Sequence, residues 1–250
     1  LSLINGPALV VIEAPMGRGK TEAALALAHS LITGGHHHGL YFALPTQVAS
    51  NRIHLRVAEF LRQTLSASAH LRLAHGTSWL DDSANLKLEP SYNGGPTSED
   101  ENPYASVAEA RSWFASAKQA LLAPYGVGTI DQALLGMVAV KHFFVRRFAL
   151  AGKVVVLDEV HSYDVYTGSL VTALVRELRL LGCTVIVLSA TLTAARRREL
   201  LAAVGAEEPA AAEAYPLVSI TRDNHSVEHI TLPPAEETTV TLRTATIPEE

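Results

Sequence analysis

The sequence predicts an α/β fold with a central, mostly parallel sheet and helices on both faces. Three observations carry that expectation. Short apolar runs recur along the chain, at Ala8–Ile12, Leu40–Leu44, Lys153–Leu157 and Thr184–Leu188. Stretches at helical spacing separate them. A glycine-containing turn at Gly17–Gly19 joins the first apolar run to the first helical stretch. Apolar, β-branched runs without polar alternation mark strands buried on both faces. Strands that alternate with helices build a parallel sheet.

The elements follow in order. Ala8–Ile12 is the first strand, and Thr21–Ile32 is a helix closed by Gly34 and Gly35. Leu40–Leu44 is the second strand, stopped by Pro45, and Val48–Leu65 reads as an Arg- and Leu-rich helix. Leu71–Ala74 is a short third strand. Residues 78–104 have no clear period and hold Asn93-Gly-Gly-Pro96 and the acidic Glu99-Asp-Glu101, so they read as a surface insertion. Val107–Leu122 is helical, Gly126–Ile130 is a strand edge or loop, and Asp131–Phe148 is mostly helical. Lys153–Leu157 and Thr184–Leu188 are strands joined by a helix over Tyr163–Leu181. Thr193–Val204 is a further helix with three consecutive arginines, Arg196 to Arg198. After Gly205 the pattern changes. Leu217–Thr221 reads as a last strand, and Thr238–Ile247 alternates like an exposed strand of a linker or a next domain.

A chain of 250 residues fits one large domain or one domain plus a tail, and its 48% hydrophobic residues can build a full core. Its net charge of -5 argues against a broad basic surface, but allows a narrow track that holds a polyanion by a few contacts. The single cysteine, Cys183, excludes an internal disulfide and reads as a small buried hydrophobe. That usage fits a reducing cytoplasm. No signal peptide is visible, and no apolar run approaches the roughly 20 residues of a membrane span, so no membrane partner is expected. His36-His37-His38 lies in a Gly-flanked loop and reads as solvent-exposed rather than metal-binding. The chain starts at Leu1 without a methionine, which suggests a piece of a longer protein.

The turn after the first strand is Ala14-Pro15-Met16-Gly17-Arg18-Gly19-Lys20-Thr21. It matches the phosphate-binding loop pattern, except that Ala14 stands where the pattern has its first glycine. Gly17 and Gly19 let the backbone curl and aim its N–H groups at phosphate oxygens. Lys20 would contact the β- and γ-phosphates, and the Thr21 hydroxyl would ligate Mg²⁺. The helix that follows adds the positive end of its dipole. ATP and Mg²⁺ are therefore the expected ligands. Glu22 sits in the first helical turn, where a carboxylate is favourable anyway.

A second constellation lies at the end of the strand Val154–Leu157. Asp158 would hold the metal, and Glu159 would orient and activate the attacking water. Strand alternation would point these carboxylates apart, so the chain must bend out of the strand for both to reach one site. A carboxylate pair alone is weak evidence; following a phosphate loop in the same α/β pattern, it is strong. His161 follows this pair, and Asp164 can cap the helix after it.

The strand Val185–Leu188 runs into Ser189-Ala190-Thr191. Taken locally, that segment could equally be a helix N-terminus capped by Ser or Thr. A phosphate loop, Asp-Glu-x-His and Ser-Ala-Thr in this order resemble a superfamily 2 helicase, whose first half is a RecA-like P-loop NTPase domain. In that superfamily Ser-Ala-Thr couples hydrolysis to the grip on the nucleic acid, and the resemblance implies that His161 links the nucleotide site to that motif. Two further segments fall at strand C-terminal ends, where open α/β sheets bind ligands. They are Pro45, Thr46 and Gln47, with Arg52 behind them, and Gly128, Thr129 and Gln132. Their hydroxyls and backbone N–H groups can take the phosphates of a single strand.

The wording of Gly-Lys-Thr-Glu-Ala-Ala-Leu25, Leu-Pro-Thr-Gln47, Val-Gly-Thr-Ile-Asp-Gln-Ala-Leu134 and Asp-Glu-Val-His-Ser-Tyr-Asp164 is similar to the CRISPR-associated helicase–nuclease of type I systems. Lys141-His142 and the Arg146-Arg147 region add to the likeness, which covers residues 8–204. The resemblance implies that residues 1–210 are a first RecA-like ATP-binding domain. Residues 211–250 would be a last strand and a linker toward a second such domain. It implies a cytoplasmic DNA motor, recruited by an RNA-guided surveillance complex, that reels in single-stranded DNA for a separate HD-type nuclease domain. Arginine fingers would come from the second domain, so this piece alone is expected to be nearly inactive. The other reading is the motor of a restriction, repair or RNA-remodelling enzyme.

Overall fold

The apolar runs become strands, and the strands assemble into one sheet. The computed structural model describes residues 4, 6–46, 53, 55–57, 59–60, 71–74, 121–138, 143–160, 165–208, 214–222 and 226–233, with backbone only at 71–74 and 165–166. The strands are β1 (Leu9–Glu13), β2 (Leu40–Leu44), β3 (Leu71–Ala74), β4 (Tyr125–Thr129), β5 (Val154–Leu157), β6 (Thr184–Ser189), β7 (Leu217–Thr221) and β8 (Val227–Thr231). The helices are α1 (Lys20–Thr33), α2 (Ile130–Leu134), α3 (Phe143–Leu150), α4 (Val165–Leu180) and α5 (Ala194–Ala203).

Among the described residues the sheet has eight strands in the order β3-β4-β2-β5-β6-β1-β7-β8. Neighbours from β3 through to β1 are all parallel. β7 runs antiparallel to β1 and to β8. The expected α/β architecture is therefore present.

Alternation divides the core. Val10 and Ile12 face one cluster with Phe42, Val154 and Val156, covered by Leu27 and Leu31 of α1. Leu9 and Val11 face the other with Tyr41, Val155 and Val185, covered by Leu174 of α4 and Leu200 of α5. β1, β2, β5 and β6 are buried at every position, as a sheet covered on both faces requires. Cys183 is fully buried, and its thiol donates to the Leu150 carbonyl at 3.1 Å. No helix among the described residues is long and apolar enough to cross a membrane.

Four features refine or correct the sequence reading. Tyr125–Thr129 is not an edge or loop but a buried strand paired on both sides. The mostly helical stretch Asp131–Phe148 is refined into α2 and the start of α3. α2 ends in a turn at 135–137, and an added Cβ at Gly136 would lie 3.1 Å from the Ala133 carbonyl and 3.3 Å from Arg146. Glycine permits that close approach of α2 to α3. β8 extends the sheet beyond the strand read as last.

His37 is the fourth difference: it is 5% exposed, not solvated. Its Nδ1 lies 3.0 Å from the Gly152 carbonyl, to which it donates, and its Nε2 lies 2.8 Å from the Thr184 hydroxyl. Both ring nitrogens are thus engaged in tying the loop before β2 to the starts of β5 and β6. Burial pushes the imidazole below its ordinary 6.5. A depressed folded-state pKa means that stability is present above 6.5 and is lost as pH falls through the folded value. Melting temperature is therefore expected to drop on acidification below 6.5, with a shallower slope in His37→Gln. Equal slopes would show that the imidazole does not contribute.

Candidate functional site

A parallel sheet delivers its strand C-terminal ends to one edge. β1, β6 and β5 are neighbours there, so the segments leaving them meet. β1 leads into Ala14, whose N–H donates to the Ser189 carbonyl of β6 at 3.2 Å. The turn then curls through Gly17 (φ 75°) and Gly19 (φ 74°), both left-handed. Gly19 is the N-cap of α1, which opens at Lys20 and so points its free N–H groups into the turn. Lys20 Nζ donates to the carbonyls of Ala14 at 2.7 Å and Pro15 at 3.1 Å, which holds the ammonium across the loop.

β5 delivers the carboxylates. The Asp158 N–H still bonds the Ala43 carbonyl of β2 at 2.9 Å, so the strand path is kept to that residue. Glu159 then takes φ 54°, a left-handed conformation costly for a non-glycine residue. Its N–H donates to Asp158 Oδ1 at 2.9 Å. This is the bend that two carboxylates in one site require.

The result is a cleft of about 450 Å³ lined by Gly17, Gly19, Lys20 and Thr21 on one side and Asp158 and Glu159 on the other. It combines backbone N–H groups, an ammonium, a hydroxyl and two carboxylates, the set needed to hold a polyphosphate and activate water beside it. No cluster of three or more metal-ligating side chains occurs among the described residues. Magnesium carried with a nucleotide takes one or two protein oxygens and leaves the rest to phosphate and water. Thr21 and Asp158 line the cleft with oxygens of that kind.

No protein-family model matches the chain. The CRISPR-associated endonuclease/helicase Cas3 of Thermus thermophilus is 47% identical over 237 residues, 94% of this chain and 25% of that protein. The crystal structure of T. fusca Cas3 with AMPPNP superposes with a TM-score of 0.75 at 34% identity, over 91% of this chain and 25% of that one. Over the stretch it covers, this chain belongs to the Cas3 family. It spans about a quarter of the length of the relatives it matches. A chain of a CRISPR RNA-guided surveillance complex in a pre-nicking state also matches, with a TM-score of 0.62 and 31% identity, over 90% of this chain and 22% of that one.

Around the cleft, the Cas3-type motifs take distinct positions. Ser189 ends β6 and is fully buried, and its hydroxyl accepts from the Thr191 N–H at 3.3 Å. The cap of α5 is Thr193, whose hydroxyl accepts from the Arg196 N–H at 3.2 Å. Ser189-Ala190-Thr191 is therefore a turn against the phosphate loop and not the helix cap that the sequence left open.

The two candidate strand-binding segments come side by side. β2 and β4 are parallel neighbours with Leu44 opposite Thr129. Beyond them Thr46 is exposed, while Pro45 and Gln132 are half-buried and Gly128 is buried. Thr129 is only 5% exposed, and its carbonyl accepts from the Tyr41 hydroxyl at 2.9 Å. Burial pushes the Tyr41 phenol up, which keeps it a donor. Gln47, Arg52, His161 and Asp164 lie outside the described residues, as do 78–104, Lys141-His142 and 238–247.

The sequence reading missed two groups. Arg56 lines the cleft and pairs with Glu22, which also lines it. The clue was an arginine on the helix behind Thr46. The second group is buried. Arg197 Nη1 meets both oxygens of Glu13, at 3.1 and 3.0 Å, and its Nε meets Glu208 at 3.0 Å. Burial raises the Glu13 carboxyl above its ordinary value, with Arg197 opposing the shift. These partners lie 184 residues apart in sequence, so no spacing signals them.

Proposed function

We propose that this chain is the ATP-binding half of a DNA motor that hydrolyses ATP to move single-stranded DNA during CRISPR interference. One observation carries the reading: the phosphate loop and the acidic pair, far apart in sequence, line a single cleft. Lys20, Thr21 and the N–H groups of the Ala14–Thr21 loop bind the phosphates. Thr21 and Asp158 are the residues to hold magnesium, which supplies charge neutralisation on the phosphate oxygens. Glu159 accepts a proton from the attacking water, and its position past the bend of β5 suits that task. Solved structures of T. fusca Cas3 with ADP, AMPPNP and ATP support nucleotide binding by this cleft.

Ser189-Ala190-Thr191, tied to the loop through the Ala14–Ser189 bond, passes the state of the nucleotide to the strand-binding edge. That edge holds Pro45, Thr46, Gly128, Thr129 and Gln132, and we extend it to Gln47 and Arg52; His161 joins the linkage. Residues 1–210 form the first motor domain, and 211–250 lead toward a second one. That domain, with an HD-type nuclease domain, belongs to the longer protein, which works in the cytoplasm with an RNA-guided surveillance complex of a type I system. The surveillance-complex match supports that partner.

The test is ATPase activity of the longer protein with and without single-stranded DNA or RNA. Stimulation by DNA, and loss of turnover by about two orders of magnitude or more in Lys20→Ala, is expected. The isolated 250-residue chain should bind nucleotide yet barely turn it over, because an arginine finger supplied from elsewhere is worth ~10³–10⁵ in rate. Brisk DNA-stimulated turnover by the isolated chain would refute the half-site reading. Stimulation by RNA alone would favour an RNA-remodelling motor.

A further inference from the structure

Glu13, Arg197 and Glu208 form a buried charge cluster at the root of the phosphate loop, with side chains 3%, 3% and 1% exposed. Two carboxylates share one guanidinium. The cluster continues outward. His229 Nε2 lies 3.2 Å from Glu208, and its Nδ1 lies 3.0 Å from the Ser219 hydroxyl. Ser219 is on β7 opposite Val11 of β1, and His229 is opposite Ser219 on β8. One side chain of α5 therefore touches the end of β1 directly, and the β7–β8 hairpin through Glu208.

A buried ion pair is a poor stabiliser compared with apolar packing of equal volume, because both ions lose their hydration. Its value lies in fixing geometry. Glu13 is joined by one peptide bond to Ala14, whose carbonyl holds Lys20 Nζ and whose N–H holds Ser189. α5 follows directly on the Ser189–Thr191 turn. Two further contacts join the same elements to the hairpin and its flanks. The Tyr215 hydroxyl donates to the Ala190 carbonyl at 2.7 Å, and Arg18 in the phosphate loop donates to the Pro233 carbonyl at 3.0 Å.

We infer that Arg197 is a positioning residue of the nucleotide site: it clamps Glu13, and with it the strand end that launches the phosphate loop, against the β7–β8 hairpin. The inference rests on the proposed ATPase reading of the cleft. It adds that the hairpin, the last described element of the chain, is mechanically tied to the phosphates' binding loop. A small displacement of the loop root moves Lys20 and the loop N–H groups together relative to Asp158 and Glu159. Displacements on the scale of an ångström are enough to cost orders of magnitude in rate.

The experiment compares Glu13→Gln, Arg197→Lys and Arg197→Met in the longer protein, with Arg147→Met as a control. Arg147 pairs with Glu177 between α3 and α4 at 2.7 Å and touches none of the loop elements. Readouts are the melting temperature, the affinity for fluorescent ADP, and kcat and KM for ATP measured well below melting. Glu13→Gln keeps the shape of the side chain and leaves Arg197 paired with Glu208, so it tests the clamp even if Arg197→Met fails to fold. Expected is a fall in kcat/KM of about tenfold to a hundredfold per folded molecule in Glu13→Gln. Arg197→Lys, which keeps the charge without the two-sided reach, should retain more activity than Arg197→Met. Arg147→Met should melt lower with normal kcat and KM. Normal kcat and KM in both Glu13→Gln and Arg197→Lys would reduce the cluster to a structural ion pair and overturn the inference. If the wild type turned over no more ATP than Lys20→Ala, the ATPase reading itself would fail, and the inference with it.

Discussion

In the longer protein, Glu159→Gln is expected to lower ATP turnover by about two to four orders of magnitude while leaving nucleotide bound. The reason is local geometry. Asp158 still obeys the strand, through its N–H bond to Ala43, and Glu159 does not, because its φ of 54° turns the chain over. A non-glycine residue pays roughly 1–2 kcal/mol for that conformation. Strain of this kind persists where the site needs the side chain more than the backbone needs relief. Gln preserves the size and the backbone and removes only the proton acceptor, so binding and chemistry should separate. Filter binding of labelled nucleotide combined with single-turnover hydrolysis measures both. A companion, Glu159→Gly, relieves the strained φ and should melt no lower than the wild type while being equally inactive. Normal turnover in Glu159→Gln would remove the residue from the chemistry.

The bend at Glu159 also marks how far the sequence could be read. Its necessity was legible, because two adjacent carboxylates cannot share a site from a straight strand. The phosphate loop was legible for a similar reason: the positions that take φ near +75° are glycines, and few residue types satisfy that demand. The buried strands β1, β2, β5 and β6 announced themselves by unbroken apolar composition. β4 did not, because Gly126 and Gly128 carry no side chain to show a pattern; it is defined by pairing with β2 and β3. β8 was missed because Val227-Glu-His-Ile-Thr231 is a half-exposed outer strand whose polar residues hide its register. His37 looked solvated among glycines and histidines, and only the folded chain brings Gly152 and Thr184 to it. The arginine run at 196–198 gave no sign that its middle member is buried while Arg198 is exposed. What sequence cannot supply, in each case, is the long-range partner.

Lys153→Met is the substitution expected to cost stability without touching the cleft. Lys153 is 2% exposed, and its Nζ donates to the carbonyls of Leu121 at 2.8 Å and Ala123 at 2.6 Å. Just past them comes Pro124, whose carbonyl accepts from Leu40 at the start of β2, 2.8 Å away. An added Cβ at Gly39 would strike that same carbonyl. The joint thus sets how β4 enters the sheet beside β2, upstream of both proposed strand-binding segments. Methionine fills the volume but withdraws the donor from two buried carbonyls, at about 1–3 kcal/mol each. For a chain of this size, each kcal/mol lowers melting by roughly 2–4 °C. The pH dependence gives the sharper check. Burial pushes Lys153 down to about 8 from 10.5, so between these values the unfolded chain holds a proton that the folded one has released. Stability from this group therefore rises with pH across that window, and is lost as pH falls through about 8. The neutral amine still carries two protons, one for each carbonyl. The melting gap between wild type and Lys153→Met should widen as pH climbs from 8 toward 10.5. A gap that stays constant would mean that the side chain never feels its burial, and that something other than these two bonds holds the turn before β4.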